Sequence, residues 1–306
     1  MTTKIAVPPI KTQGIKTRLV PRIQKYIQWC RNGVWVEPFL GSGVVGFNIR
    51  PKRAIFADSN PHIINFYAGV NANQITPAIV REFLTSEGSK LAAEGADYYY
   101  QVRERFNEQH NPLDFLFLVR AGFNGLIRFN RSGAFNVPFN HKPERFALAY
   151  VTKVVNQVQY VSDLCQMNEY QFVCQDFRQT FACVAEDDFV YCDPPYAGRH
   201  VDYFNHWDDK DEGDLLFLLH ECPCHFMLST WHSNQYRENL VIAELEQYFH
   251  VTTHKHFYHV GAKETNRHPM IEALVTNYQP QPRKVHKQRP QYTQARLFET
   301  SADYET

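Results

Sequence analysis

No stretch of the chain is apolar for long enough to cross a bilayer, and Met1–Gly14 lacks the apolar centre of a signal peptide. These absences exclude a membrane-spanning helix and lead to the expectation of a cytoplasmic protein. The seven cysteines are scattered, odd in number and without a CxxC pair, which argues against a disulfide framework. Only Cys222 and Cys224 stand close. With His220 or His225 they could begin a zinc site, but small buried thiols in a reducing compartment are the simpler reading. Histidines 254, 256, 259 and 268 form no helical ligand pair, so no metal is expected. Net charge is also missing, since 32 Lys and Arg balance 32 Asp and Glu. That argues against a nucleic-acid partner until the charge is mapped along the chain. Residues 1–36 hold seven Lys and Arg and no acid, and residues 118–153 hold six against Glu144 alone. Folded onto one face, the two stretches would make the footprint of a phosphate-backbone binder; kept apart, they are solvated surface.

What is present has an ordered grammar. The run Val34–Val36 ends in Glu37-Pro38-Phe39 and then Gly41-Ser42-Gly43. A helical stretch to about Ile49 follows, then a β-like run Ala54–Ala57 ending at Asp58, and Pro61 opens another helix. This β-loop-α-β-α order predicts an α/β fold around a doubly wound, Rossmann-like parallel sheet. The grammar then pauses. Segments 75–108, 112–121 and 144–167 read as helices, and Ile127–Phe139 reads as a hairpin around Asn130-Arg131-Ser132-Gly133. Strand-like runs resume at Gln171–Cys174, Phe189–Cys192 and His225–Leu228, and 249–258 with 271–277 would form an antiparallel pair at the sheet edge. The 306 residues suit one catalytic domain (1–71 and 169–278), a mostly helical insertion (72–168) and a mobile, Gln-, Pro- and Lys/Arg-rich tail (279–306).

The most specific motif is Asp193-Pro194-Pro195-Tyr196, directly after an apolar run. An exocyclic amine on a purine is a poor nucleophile because its lone pair is delocalised into the ring. A carboxylate at Asp193 and the carbonyl of Pro194 can accept both amine hydrogens, which localises and aims that lone pair. The prolines fix the turn without losing a needed donor, and Tyr196 offers a face on which a base can stack. The second motif is Glu37-Pro38-Phe39-Leu40-Gly41-Ser42-Gly43, whose glycines let the backbone approach a ligand at a helix start. Asp58, at the end of the next strand, is placed to take ribose hydroxyls. Gly41–Gly46 also reads G-x-G-x-x-G, the fingerprint of a dinucleotide-linked oxidoreductase. Neither Glu-Pro-Phe nor Asp-Pro-Pro-Tyr serves a hydride donor, so that reading ranks low.

Together with Lys11-x-x-Gly14-x-Lys16, these motifs occur in the order of the Dam-type (D12 class, alpha group) adenine-N6 DNA methyltransferases, which the chain resembles from about Val7 to Asn277. The phrases Gln13–Thr17, Gly33–Phe39 and Gly198–Asn205 are similar to those of the EcoRV-type modification methylases within that group. The resemblance implies transfer of a methyl group from S-adenosylmethionine to N6 of a flipped-out adenine in double-stranded DNA, at GATATC or, alternatively, GATC. It also implies roles by position. Gly14 and Lys16 would lie by the methionine part of the cofactor, with Thr12 in the same stretch where the family carries an aromatic. Glu37, Pro38, Phe39, Gly41 and Gly43 would form the cofactor loop, Asp58 would hold the ribose, and Asp176 would accept from the cofactor's adenine amine. Asp193, Pro194, Pro195 and Tyr196 would form the catalytic turn, with Asp193 also beside the cofactor. The DNA side would comprise Lys11, Lys16, Arg120, the Phe123–Asn124 pair filling space in the duplex, Arg128 as guanine reader, Asn136 and Pro138. Tyr196–Trp207 would border the active site as a loop. Gln294-Ala295-Arg296-Leu297-Phe298 is similar to the peptide by which bacterial replication proteins dock on the sliding clamp. Rival readings are a methyltransferase for RNA or a protein side-chain amide, and a non-catalytic DNA-binding protein on the same scaffold.

Overall fold

The computed structural model describes residues 4–195, 207–233, 239–257 and 269–282. Its elements run α1 (Val20–Tyr26), β1 (Trp35–Glu37), α2 (Val44–Ile49), β2 (Arg53–Asp58) and α3 (Pro61–Asn71). The insertion supplies α4 (Pro77–Glu94), α5 (Ala96–Gln109), α6 (Pro112–Ala121) and α7 (Leu148–Met167). There follow β3 (Glu169–Cys174), α8 (Phe177–Phe181), β4 (Phe189–Cys192), α9 (Asp209–His220), β5 (His225–Ser233), α10 (Leu240–Tyr248), β6 (His250–Phe257) and β7 (Pro269–Thr276). Among these residues no helix is long and apolar enough to cross a membrane.

Seven strands form one sheet in the order β3-β2-β1-β4-β5-β7-β6. The first five are parallel, and β7 runs antiparallel between β5 and β6. The chain works outward from β1 in one direction and from β4 in the other, so β1 and β4 flank the switch point. The crevice beyond their carboxyl ends is where an open α/β sheet binds ligands.

The central strands read as continuous apolar runs because both faces are covered. Their side chains alternate between two clusters. Trp35, Phe189, Tyr191, Met227 and Leu274 belong to the cluster on one face. Val36, Val190, Cys192, Phe226, Leu228, Ala273 and Val275 belong to the other, with Leu215 and Leu245 from α9 and α10. The insertion has no core of its own: Tyr99, Phe106, Phe117 and Val154 lie in the same cluster as Trp35, Phe47, Phe56 and Tyr67.

Two local expectations are corrected. The helical stretch 75–108 is two helices, split where Gly95 takes φ 64° and ψ −129°, a conformation that glycine alone adopts readily. The stretch from 144 begins as a 3-10 turn at Pro143–Phe146 and breaks at Ala147, whose ψ of 150° is extended, before α7 starts. The segment 127–139 turns back on itself as the expected hairpin, in irregular form: Asn130 donates its amide to the Ala134 carbonyl at 2.9 Å and Asn136 to the Arg128 carbonyl at 3.1 Å, with antiparallel bridges at Phe129–Phe135 and Gly122–Phe139. There the Asn130 side-chain oxygen accepts from the amides of Ser132 (3.0 Å) and Ala134 (2.9 Å), and Pro138 has no amide to donate. These side-chain bonds add to the backbone bonds across the hairpin.

Candidate active site

Two loops meet at the switch point. After β1 the chain turns through Pro38–Gly41, and Leu40 donates its amide to the Ala57 carbonyl at 2.8 Å. Gly41 donates to Asp58 Oδ2 at 2.8 Å, and Asn60 donates to Oδ1 at 2.9 Å. Gly43, at φ 71°, caps α2. Burial raises the Asp58 carboxyl above its ordinary pKa, against the two amides that hold it down. Thr12 lies against this loop, its hydroxyl 3.5 Å from the point a β-carbon on Gly41 would occupy. Tyr67 fixes the loop from below through a 2.7 Å bond to the Ser42 carbonyl.

After β4, Asp193 is held from two sides. The Lys16 ammonium, only 5% exposed, pairs with Asp193 Oδ1 at 2.8 Å and donates to the Gly14 carbonyl at 3.0 Å. Ser229, on β5, donates to the same Oδ1 at 3.0 Å and exchanges a 2.9 Å hydrogen bond with the Tyr191 hydroxyl. Oδ2 takes no partner among the described residues. Burial raises the Asp193 carboxyl, and Lys16 and Ser229 oppose that shift. Asp193 is thus anchored through Oδ1, with its side chain 23% exposed. Pro194 is buried beside it and Pro195 half-buried, while Tyr196, Arg199, His200 and Tyr203 lie outside the described residues.

Glu37 and Pro38 are both buried. The Glu37 carboxyl accepts from the Trp35 indole at 2.7 Å, and burial pushes its pKa up to about 8, the nearby Asp193 charge adding to the shift. Glu37 thus supports the loop from behind. Phe39 packs on Phe177 and Trp207, with ring centroids 5.3 and 5.7 Å away, leaving an aromatic corner beside the loop. Asp176 precedes that corner. Its side chain caps α8 through the Arg178 amide at 2.9 Å and pairs with the Arg178 guanidinium at 3.1 Å, yet it stays 45% exposed.

The structure thus brings Thr12, Gly14, Lys16, Gly41, Gly43, Asp58 and Asp193 to one crevice, with Phe39 and Asp176 at its side. Pattern reading missed Ser229 and Tyr191. The signal lay in Ser229-Thr230, two polar residues inside the apolar strand β5 and both buried.

On the insertion, Phe123 is 49% exposed and Asn124 takes φ 53°, in a turn tied by the Phe123 amide to the Pro138 carbonyl at 2.9 Å. Arg128 grips Asn136 through its side-chain oxygen (2.7 Å) and its carbonyl (3.0 Å). Pro138 and Lys11 are exposed. Arg120 departs from expectation. Its guanidinium points inward to the Pro9 carbonyl and to Gln157 (2.7 Å), and burial lowers its pKa to about 10. A side chain so engaged is structural.

Cys222 and Cys224 bring their sulfurs to 3.7 Å, but His225 bonds the Gln28 carbonyl and His220 packs on Tyr248. Among the described residues no group of three metal-ligating side chains exists. His259, His268 and Gln294–Phe298 lie outside the described residues.

Comparison with known proteins completes the picture. The family model for D12 class N6 adenine-specific DNA methyltransferases matches residues 13–266. The chain is 36% identical over 199 residues to the DNA adenine methylase of Haemophilus influenzae, covering 62% of this chain and 64% of that one. It is 31% identical over 216 residues to the retron Ec67 DNA adenine methylase of Escherichia coli, covering 68% and 70%. With the type II methyltransferase M1.LlaDCHI of Lactococcus lactis it shares 27% identity over 290 residues, 89% of this chain and 95% of that one. The matched stretch thus spans just under two thirds of the Haemophilus relative.

Proposed function

The chain belongs to the D12 class N6 adenine-specific DNA methyltransferase family, and from that premise we propose that it methylates N6 of a flipped-out adenine in duplex DNA, using S-adenosylmethionine. The target is GATATC, modified at its first adenine, as the likeness to the EcoRV-type phrases implies; GATC is the alternative. The observation that carries the reading is the Lys16–Asp193–Ser229 arrangement at the switch point. Two internal donors occupy Oδ1, so Oδ2 is aimed at whatever enters the crevice.

The crevice suits the cofactor. Gly41 presents no side chain at the loop, Asp58 keeps lone pairs beyond the two amides it accepts, and half-buried Phe39 offers an apolar face to a purine. Gly14, Lys16, Pro38, Phe39, Gly41, Gly43, Asp58 and Asp176 would hold it. When bound, it supplies an electrophilic methyl group on a sulfonium. The chain's own part is to prepare the nucleophile. Asp193 Oδ2 and the Pro194 carbonyl accept the two N6 hydrogens, and Tyr196 stacks on the base. Phe123 is the apolar wedge that replaces the extruded adenine, and Arg128, Asn136 and Pro138 line the base-reading loop.

The test is incubation of the purified protein with labelled S-adenosylmethionine and duplexes carrying GATATC, GATC or neither, followed by mapping of modified bases. N6-methyladenine confined to GATATC is expected, with Asp193→Ala abolishing methylation while keeping DNA affinity. Label at another site would overturn the specificity. No label in DNA from a protein that binds the cofactor would overturn the substrate class.

A further inference from the structure

Lys11, Arg145 and Lys153 come from three separate stretches of chain, yet all gather around one buried residue. Arg120 sends its guanidinium to the Pro9 carbonyl and to Gln157, and its own carbonyl accepts from the Arg145 guanidinium at 3.3 Å. Pro9 is two residues before Lys11. Gln157 follows Lys153 by one helical turn of α7, on the same side of the helix. Lys11 and Lys153 are exposed and Arg145 is half-buried. Partial desolvation of its ammonium among these neighbours first, then repulsion by Arg120, Lys153 and Arg145, pulls Lys11 below its ordinary pKa. Among the described residues none of these three cations pairs with a carboxylate.

Positive charge gathered without a paired carboxylate suits an anionic partner, and its position identifies which. Lys11 is five residues before Lys16, which touches the catalytic carboxylate. Arg120 is three residues before Phe123, the exposed wedge of the reading loop. A duplex that reaches both must cross the ground between them.

We propose that Arg145 and Lys153 join Lys11 as a phosphate-backbone track that sets the register of duplex DNA between the reading loop and the catalytic turn. This rests on the DNA reading above. Phosphate contacts position a duplex without carrying sequence information, so the track acts equally on every sequence.

The test measures Kd of the full-length protein for a GATATC duplex and a scrambled duplex between about 50 and 200 mM salt. Each lost phosphate contact reduces the slope of log K against log salt by about 0.9. The Arg145→Gln/Lys153→Gln double variant should therefore weaken binding to both duplexes by similar factors. Its salt slope should be shallower by about 1.8, so across that fourfold salt range it should lose about 12-fold less affinity than the wild type. Lys153→Gln alone, at an exposed position, should give half the change in slope, and Lys153→Arg should restore it. A slope in the double variant equal to that of a DNA-binding wild type would overturn the track and leave the proposed function standing, and so would a loss confined to GATATC. Failure of the wild type to bind either duplex would overturn both.

Discussion

In the proposed mechanism the two oxygens of Asp193 have different duties, because Ser229 and Lys16 both engage Oδ1. A hydrogen bond to a charged group contributes about 1.5–3 kcal/mol. Ser229→Ala should therefore lower kcat by about 10- to 150-fold with little change in KM for DNA, because the lost bond orients the carboxylate rather than gripping the duplex. Steady-state kinetics would check this, and Ser229→Thr, which keeps a hydroxyl, should recover part of the loss. Full kcat in the alanine variant would remove Ser229 from the mechanism. Asp193 was legible because its motif is contiguous: carboxylate, two prolines and tyrosine announce their chemistry without help from the fold. Ser229 and Tyr191 were not, since the bonds of Ser229 to Asp193 and to Tyr191 depend on β4 and β5 lying side by side. Arg120 shows the opposite failure. Sequence carries the sign of a charge but not its direction, and this guanidinium turned inward to tie Pro9 to Gln157.

At the scale of elements, α2 shows propensity and tertiary fit pulling in opposite directions. Gly46 lies inside this six-residue helix, where alanine is intrinsically better by about 1 kcal/mol. A β-carbon there, however, would sit 2.4 Å from the Phe56 ring and 2.7 Å from Glu37 Oε1, both buried. Overpacking of this kind costs about 1–3 kcal/mol. Gly46→Ala should accordingly destabilise the protein, seen as a lower urea midpoint at unchanged m-value. A raised midpoint would show that α2 can move away from β2. Strands and helix starts were readable because proline, glycine and β-rich runs mark them locally. The breaks at Gly95 and Ala147 were not. Apolar periodicity continues across a break whenever both halves bury the same face.

For the whole molecule, the decisive fact is that the insertion and the sheet share one apolar cluster. Unfolding followed by near- and far-ultraviolet circular dichroism should therefore give one coincident transition, and two separated transitions would show that the insertion folds as an independent unit. The β-α-β grammar and its interruption were visible in the sequence, as was the antiparallel pair at the sheet edge. The sharing of a core was not, because the apolar faces of α4–α7 could equally have closed on one another. That shared core also limits how such a protein can acquire a new target. An insertion that rests on the sheet cannot be exchanged wholesale with a relative's without leaving Tyr99, Phe106 and Phe117 facing unmatched neighbours. If the segment from Phe123 to Pro138 reads the target as proposed, new specificity has to be written into its exposed positions, one side chain at a time, while Phe129, Phe135 and Val137 stay fixed in the core.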